Sequence, residues 1–370
     1  MTIWRWPRIS DTKMKKLALF FFLAICPTLT NGQDTISLAF IGDVMQHKRQ
    51  LHLALRNGKD TLADSSYDYS SYFKYTQDIL SGADFAVANM EFVCGLPPFT
   101  GYPSFSAPAT LAEATAKAGI DLFLCANNHI FDKGQAGFEK TVLTYGQMGI
   151  PYTGVYRNRE EQETLYPYIT DIKGIKCAFI NFTYGTNAAA SKAVVSRMDS
   201  TSVTRAIGRA KEMGADFIIA LPHWGTEYEI TESPQQRRWE EMLYRHGVDI
   251  IIGGHPHVVQ PVNIIKGDNG EIKHITAFSL GNFISNMSAK NTQIGFIFVV
   301  KLIKEGSKVR ILSGEPVWLW CGRGGRFEPD YTTFPVRDFI GKPELFPNKH
   351  EYQKMVETYQ RLRETIQYGE

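Results

Sequence analysis

Ala215-Asp216-Phe217-Ile218-Ile219-Ala220-Leu221-Pro222-His223-Trp224-Gly225 is the stretch whose reading decides the fold. Residues 217–221 are apolar at every position, which suits a strand buried on both faces, as in a parallel sheet covered by helices. Helix-period segments flank it at 201–213 and 234–246. The same alternation runs outward in both directions. Strands are expected at 36–41, 85–88, 121–125, 176–181 and 250–253, with helices at 69–81, 108–118 and 137–148. Strand and helix in turn, with short links, predict an α/β fold around a largely parallel sheet. After residue 275 the style changes. Runs at 275–280, 295–301 and 308–312 follow closely and read as a second, antiparallel sheet, and 351–368 reads as an amphipathic helix. The simplest division is one domain over 34–315 and a C-terminal extension over 316–370 that ends in this helix.

The strand ends carry the chemistry. Five strand-like runs finish in polar or ionisable residues: Asp43, Glu91, Asn128-His129, His223 and His255-Pro256-His257. Ligands of open α/β sheets bind at the carboxyl ends of the strands, so these distant residues are expected to converge. Singly, each has an ordinary reading. Asp43 suits a turn or helix cap, and Asn127-Asn128 suits a turn. Glu91 does not, because a buried carboxylate is costly unless it is paired or on a metal. Two carboxylates, an amide and four imidazoles, with no thiolate, form the donor mix of Mn, Fe or Zn. They exceed what one tetrahedral ion needs, so a pair of ions bridged by a carboxylate is expected.

Composition narrows the classes. The chain has 370 residues, 44% hydrophobic and 21% charged, which excludes a disordered, collagenous or coiled-coil chain. Its formal charge is +2, but residues 1–32 hold five basic side chains and one acid. The remainder carries 35 basic against 37 acidic residues, near neutrality, with no electrostatic reason to expect nucleic acid as a partner. Cys94, Cys125, Cys177 and Cys321 are widely spaced and read as buried thiols or at most one disulfide, not a zinc knuckle.

The N-terminus reads as an address. Lys15-Lys16 precede ten apolar residues, Leu17 to Cys26, and a small-polar exit ending at Gly32. That is the pattern of a secretory signal peptide over 1–32, too short to span a bilayer. The protein is therefore expected to be exported, to the periplasm or cell envelope. Leu23-Ala24-Ile25-Cys26 also resembles a lipoprotein box that would anchor the chain at Cys26, although Ile25 stands where small residues are usual.

Six ordered motifs carry a family resemblance: Phe40-Ile41-Gly42-Asp43-Val44-Met45, Ala88-Asn89-Met90-Glu91, Ala126-Asn127-Asn128-His129 with Asp132, Pro222-His223-Trp224-Gly225 with Glu227, Gly254-His255-Pro256-His257-Val258, and Ser279-Leu280-Gly281-Asn282-Phe283. They resemble the CapA family of capsule or poly-γ-glutamate synthesis proteins, within the calcineurin-like metallophosphatase superfamily. The resemblance implies a four-layer α/β/β/α sandwich with two divalent ions at the strand ends. It assigns Asp43 and His257 to the first ion, Glu91 to the bridge, and Asn128, His223 and His255 to the second. His129 takes the place of the proton donor; by spacing alone, Asp132, three residues on, reads as orienting that imidazole or as a helix-start acid, and Glu227, four residues after His223, as its partner, an additional acid or a solvated loop acid. Two positions depart from the superfamily pattern. Met45 occupies the place of a ligating His, with His47 two residues later as a possible extra ligand, and Glu91 replaces an Asp.

The implied function is metal-dependent hydrolysis in capsule or anionic-polymer synthesis or export. Expected partners are an anionic polymer, or a phosphorylated or peptidic envelope substrate, and membrane-bound synthesis machinery. A non-catalytic polymer-binding or export component and an extracellular phosphoesterase are the alternatives on the same fold. Trp318-Leu319-Trp320 with the basic turn 322–326 suits either a core strand or a polymer groove. His52, His246, His274 and His350 have no motif around them.

Overall fold

The computed structural model describes residues 34–366, so the proposed signal and Cys26 lie outside the described residues. Strands β1 (Asp34–Val44), β2 (Phe85–Met90), β3 (Leu122–Leu124) and β4 (Tyr152–Thr153) are parallel, in the order β4-β3-β2-β1. A second set comprises β5 (Tyr168–Ile172), β6 (Ile175–Thr183), β7 (Phe217–His223), β8 (Ile250–Ile252), β9 (Val262–Lys266) and β10 (Ile272–Ala277). There β10, β8, β7 and β6 are parallel neighbours, with β5 and β9 antiparallel at β6 and β10. Short β11 (Asn282–Ile284) lies along the end of β1. The long hairpin β12 (Ile294–Glu305) and β13 (Lys308–Gly322) joins the sets. β12 pairs with β1, while β13 meets β10 at Ile272–Ile311.

Side-chain alternation turns this path into two facing layers. Leu38, Phe40, Val87 and Leu122 of the first set share one buried cluster with Phe179, Ile219, Leu221 and Ile250 of the second. Phe85 and Phe179 meet across it with ring centroids 5.2 Å apart. The opposite face of the first layer, with Ala39, Ile41, Ala86 and Ala88, packs on helices α1 (Lys48–Ala54), α2 (Ala109–Lys117) and α3 (Gly134–Met148). Beyond α4 (Arg159–Leu165), the outer face of the second layer, with Ala178, Ile180, Ile218 and Ile251, packs on α5 (Ser200–Glu212) and α6 (Pro234–Arg245). Helix, sheet, sheet, helix is the layering that the family resemblance implied.

A repeated device pins the strand starts. Asp84, Asp121, Asp216 and Asp249 each precede a parallel strand. Each accepts from a backbone N–H of the neighbouring strand: Ser37 (2.7 Å), Ala86 (2.8 Å), Lys176 (2.9 Å) and Ile218 (2.7 Å). Every one lies at the end of the layers opposite the candidate site.

Three expectations change. Residues 69–81 are not one helix: a 3₁₀ turn covers Ser70–Phe73 and a short helix Gln77–Ser81. Asp68 caps Ser70 N–H at 2.9 Å, and the three-residue 3₁₀ period puts Tyr69 and Tyr72 on one side, both buried, with rings 5.1 Å apart. The strand expected at 308–312 extends to Gly322, so residue 315 falls within β13, and the described residues 34–366 belong to one compact unit. Trp318 and Trp320 lie in that strand. Trp320 is fully buried, and Trp318 packs between Phe296 and Tyr359. The four cysteines among the described residues are buried and free. The terminal helix α7 (Lys349–Thr365) packs Met355 and Leu362 into the inter-layer core. Its Glu351 is fully buried, accepting from Gln293 Nε2 and from Trp320 Nε1 at 3.3 Å.

Candidate metal centre

The parallel register brings the C-terminal ends of both layers to one place. β1 delivers Asp43, the residue after β2 is Glu91, and the turn after β3 holds Asn127, Asn128 and His129. From the other layer, β7 ends at His223, and the loop after β8 presents His255 and His257. Gly42 lets β1 approach the loop before β11: a Cβ there would lie 1.9 Å from Gly281 O. His255 (φ 98°) and His257 (φ 58°) both hold left-handed backbone, costing roughly 1–3 kcal/mol each. Such strain points from geometry to a functional constraint.

All six expected ligands are buried. Two close sets of ligating atoms form, each within 4.8 Å: Glu91 with His255 and His257, and Asp43 with Glu91 and His223. Both use Glu91. These sets group His223 with Asp43 and His255 with His257, while His257 Nδ1 also lies 3.1 Å from Asp43 Oδ2, the pair that the resemblance gives to one ion. Asn128 Oδ1 lies 2.8 Å from His223 Nε2. His257 Nδ1 is 3.0 Å from Asn282 Oδ1, which assigns the proton to Nδ1 and leaves Nε2 free, 3.8 Å from Glu91 Oε1.

Three buried polar atoms of the centre make no hydrogen bond, Asp43 Oδ2, Glu91 Oε1 and His255 Nδ1, and the first lies 3.1 Å from His257 Nδ1. Two carboxylate oxygens and an imidazole nitrogen without a hydrogen bond in one cluster fit a cation, since most buried polar groups are hydrogen-bonded. Protonation tells the same story. Burial, then the Asp43 charge, push the Glu91 carboxyl well above its ordinary range. Burial, then His257, hold His255 at about 3, and burial, then His255, hold His223 well below its usual value. Neutral imidazoles are the ligating form, and a cation is what would let Glu91 ionise there.

His129 stands apart from these sets. Its Nδ1 is 2.8 Å from Asp132 Oδ2, and the same oxygen accepts Phe105 N–H at 2.7 Å. The ring meets Phe105 edge-on at 4.6 Å, with Nε2 3.4 Å from the Asn187 amide. His129, Asp132, His257 and Glu227 all line an open cleft of about 820 Å³. Glu227 sits half-buried in this lining beside Tyr228, and its charge acts on Glu91. His47 also lines the cleft but belongs to neither close set. It heads α1, with Nδ1 3.2 Å from Gln50 Oε1 and receiving Asn286 N–H at 3.3 Å. Burial, opposed by Gln50, lowers it to about 4. Met45 is buried in the outer core.

Sequence reasoning missed the amides that tie the centre together. Asn89 Nδ2 donates to Asp43 Oδ1 at 2.7 Å and lies 3.4 Å from Glu91 Oε2, while Asn89 Oδ1 accepts from Asn127. The available signal was its place two residues before Glu91, on the same face of an extended chain. Asn282 was signalled by its place in the motif Ser279-Leu280-Gly281-Asn282-Phe283, whereas Asn187 had no comparable signal.

Fold and site together define a class: α/β sandwiches that gather carboxylates, amides and imidazoles at strand ends into a cluster suited to divalent metals. Within it, residues 37–287 match the family described as bacterial capsule synthesis protein PGA_cap, and the chain belongs to that family. It is 24% identical over 299 residues to the capsule biosynthesis protein CapA of Bacillus anthracis, covering 77% of this chain and 68% of that one. Among solved structures it is similar to the NAD nucleotidase of Haemophilus influenzae (TM-score 0.48, 15% identity), covering 90% of this chain and 57% of that one. It is also similar to the calcineurin-like phosphoesterase YfkN of Bacillus subtilis (TM-score 0.44, 13% identity), covering 90% and 98%.

Proposed function

We propose that this protein is a metal-dependent hydrolase in capsule or poly-γ-glutamate synthesis or export, acting on an anionic polymer or on a phosphorylated or peptidic envelope substrate. One observation carries the reading: two ligand sets share the buried Glu91, whose Oε1 has no hydrogen-bond partner. Asp43, Glu91, Asn128, His223, His255 and His257 would hold two divalent ions of the Mn, Fe or Zn type. Bound there, such ions supply Lewis acidity and lower the pKa of a water. The chain supplies the rest. Asp132 fixes the His129 ring through Nδ1, so that Nε2 would deliver the proton to the leaving group. Phe105 and Asn187 hold that ring in place, and Glu227 offers a second acid in the cleft lining. This reading places the protein in the periplasm or envelope, beside membrane-bound synthesis machinery, with Cys26 as a candidate lipid anchor.

The buried Met45 and the tethered His47 favour one second reading, a polymer-binding component without turnover. Elemental analysis of protein purified without chelator tests both. About two ions per chain, lost in Glu91→Ala, with metal-stimulated cleavage of a phosphoester or γ-glutamyl amide, supports the hydrolase. Metal without cleavage supports the binding component. No metal in the wild type overturns the centre.

A further inference from the structure

The candidate cleft is lined by no lysine or arginine, and its charged side chains are the acids Asp132 and Glu227. An anionic chain longer than the group at the centre therefore gains no side-chain attraction within that cleft. The arginines are next door. Arg159, Arg197, Arg205 and Arg209 surround a separate crevice of about 200 Å³ between α4 and α5, floored by Tyr166. Among the described residues none of the four is in an ion pair. Two are held in place by neutral oxygens: Arg197 Nη2 donates to Thr186 Oγ1 at 3.2 Å, and Arg209 Nη2 to Thr164 O at 3.0 Å. Arg205 and Arg209 are one helical turn apart on α5 and share a face. Glu163 is the acid of the crevice wall and Asp199 beside it caps α5 through Ser202 N–H, while α4 also carries Glu160 and Glu161, the latter paired with Arg157, outside the lining. Within the lining, four guanidinium groups face one carboxylate.

One segment joins the two depressions. Residues 184–197 leave β6 with Tyr184 against His255 (4.5 Å) and pass Asn187, which contacts His129. They end at Arg197, which reaches back to Thr186. A ligand in the crevice thus lies across one strap of chain from the proton donor.

We propose that this arginine crevice is a docking site for an extended polyanion, a chain of carboxylates or phosphates, which it holds beside the cleft. Planar guanidinium forks match the bidentate geometry of both groups. The inference rests on the proposed polymer-processing reading for its purpose, but its test does not depend on turnover. Fluorescein-labelled decaglutamate and a labelled polyphosphate of similar length are titrated into the full chain, with anisotropy as the readout, at about 50 and 300 mM salt. Three proteins are compared: the wild type, Arg205→Gln/Arg209→Gln, and Glu91→Ala, each checked for folding by circular dichroism. The expected result is salt-sensitive binding that weakens about tenfold or more in the double arginine variant and persists in Glu91→Ala. A preference for one probe identifies the carboxylate or the phosphate source. Binding that is equal in the wild type and the arginine variant, or absent for both probes at low salt, overturns the crevice. Loss in Glu91→Ala alone would place the polyanion in the cleft and overturn it as well. Arg205→Lys/Arg209→Lys, which keeps the charge, is expected to recover part of the affinity but not all of it.

Discussion

The two sheet layers are built alike at one end and unlike at the other. At the strand starts, Asp84 and Asp121 in the first layer do what Asp216 and Asp249 do in the second, each receiving a neighbouring strand's N–H. At the strand ends the layers diverge. The first contributes oxygen donors, Asp43, Glu91 and Asn128, and the second contributes the imidazoles His223, His255 and His257. Neither layer alone offers a mixed set. The centre is a property of the seam between them, so what presses the layers together also brings the donors into range.

The sharpest way to break the comparison is to loosen the seam. Phe179→Ala removes a fully buried ring that meets Phe85 across the layers and should cost about 3–5 kcal/mol by denaturant unfolding. Bound metal should fall in step with folded protein; full metal binding after such a loss would detach the centre from the seam. Next in size, Glu91→Ala takes away the shared carboxylate and should weaken metal affinity by more than ~100-fold, beyond the usual cost of losing an outer partner. His255→Ala touches one close set and should spare part of the metal. Equal losses in the two variants would refute the shared-carboxylate arrangement.

Asp132→Asn tests a group that serves the ring and not the metal sets. It should lower kcat about 100-fold and leave metal content and KM near wild type. A matching fall in metal content would place Asp132 in the centre instead.

The smallest effect sharpens the likeness at the strand starts. Burial pushes the Asp249 carboxyl up to about 6, against the Ile218 N–H and Lys211, which favour the charged form. A pKa raised from 3.8 in the unfolded chain means that stability is fully present below pH 3.8 and lost as pH rises through 6. Asp249→Asn should therefore stabilise the protein by about 2 kcal/mol at pH 7.5, with the gain shrinking toward pH 4. Thermal melts at the two pH values check it, and an equal shift at both would assign the effect to packing. Asp216 has Lys304 at 2.8 Å and a lowered pKa despite its desolvation, so Asp216→Asn should destabilise.

How much of this was legible follows from which signals are local. Apolar runs ending in Asp43, Glu91, Asn128, His223 and His255 are visible in the chain, and parallel topology sends such ends to one edge. The recurrent Asp before each apolar run is equally visible at 84, 121, 216 and 249, but its meaning depends on which strand lies alongside. The 3₁₀ turn at Ser70–Phe73 was hidden because Tyr69 and Tyr72 answer to the core and not to helix propensity. Asn89 was hidden by its neighbour: Glu91 is the odd residue in sequence, whereas the amide becomes central only when Asp43 lies 2.7 Å away.

The hairpin formed by β12 and β13 has a consequence for how the chain is made. Residues 294–322 supply the partner of β1 and the neighbour of β10, yet they leave the ribosome after both half-sheets. Until they arrive, a growing chain holds β1, a long apolar strand, with one edge open over residues 34–41, the feature that invites pairing with other chains. A protein cut short before residue 294 should therefore be a sticky intermediate and not a smaller working unit. Its holding partners in the cell would meet it early, during synthesis, and let go only near the end.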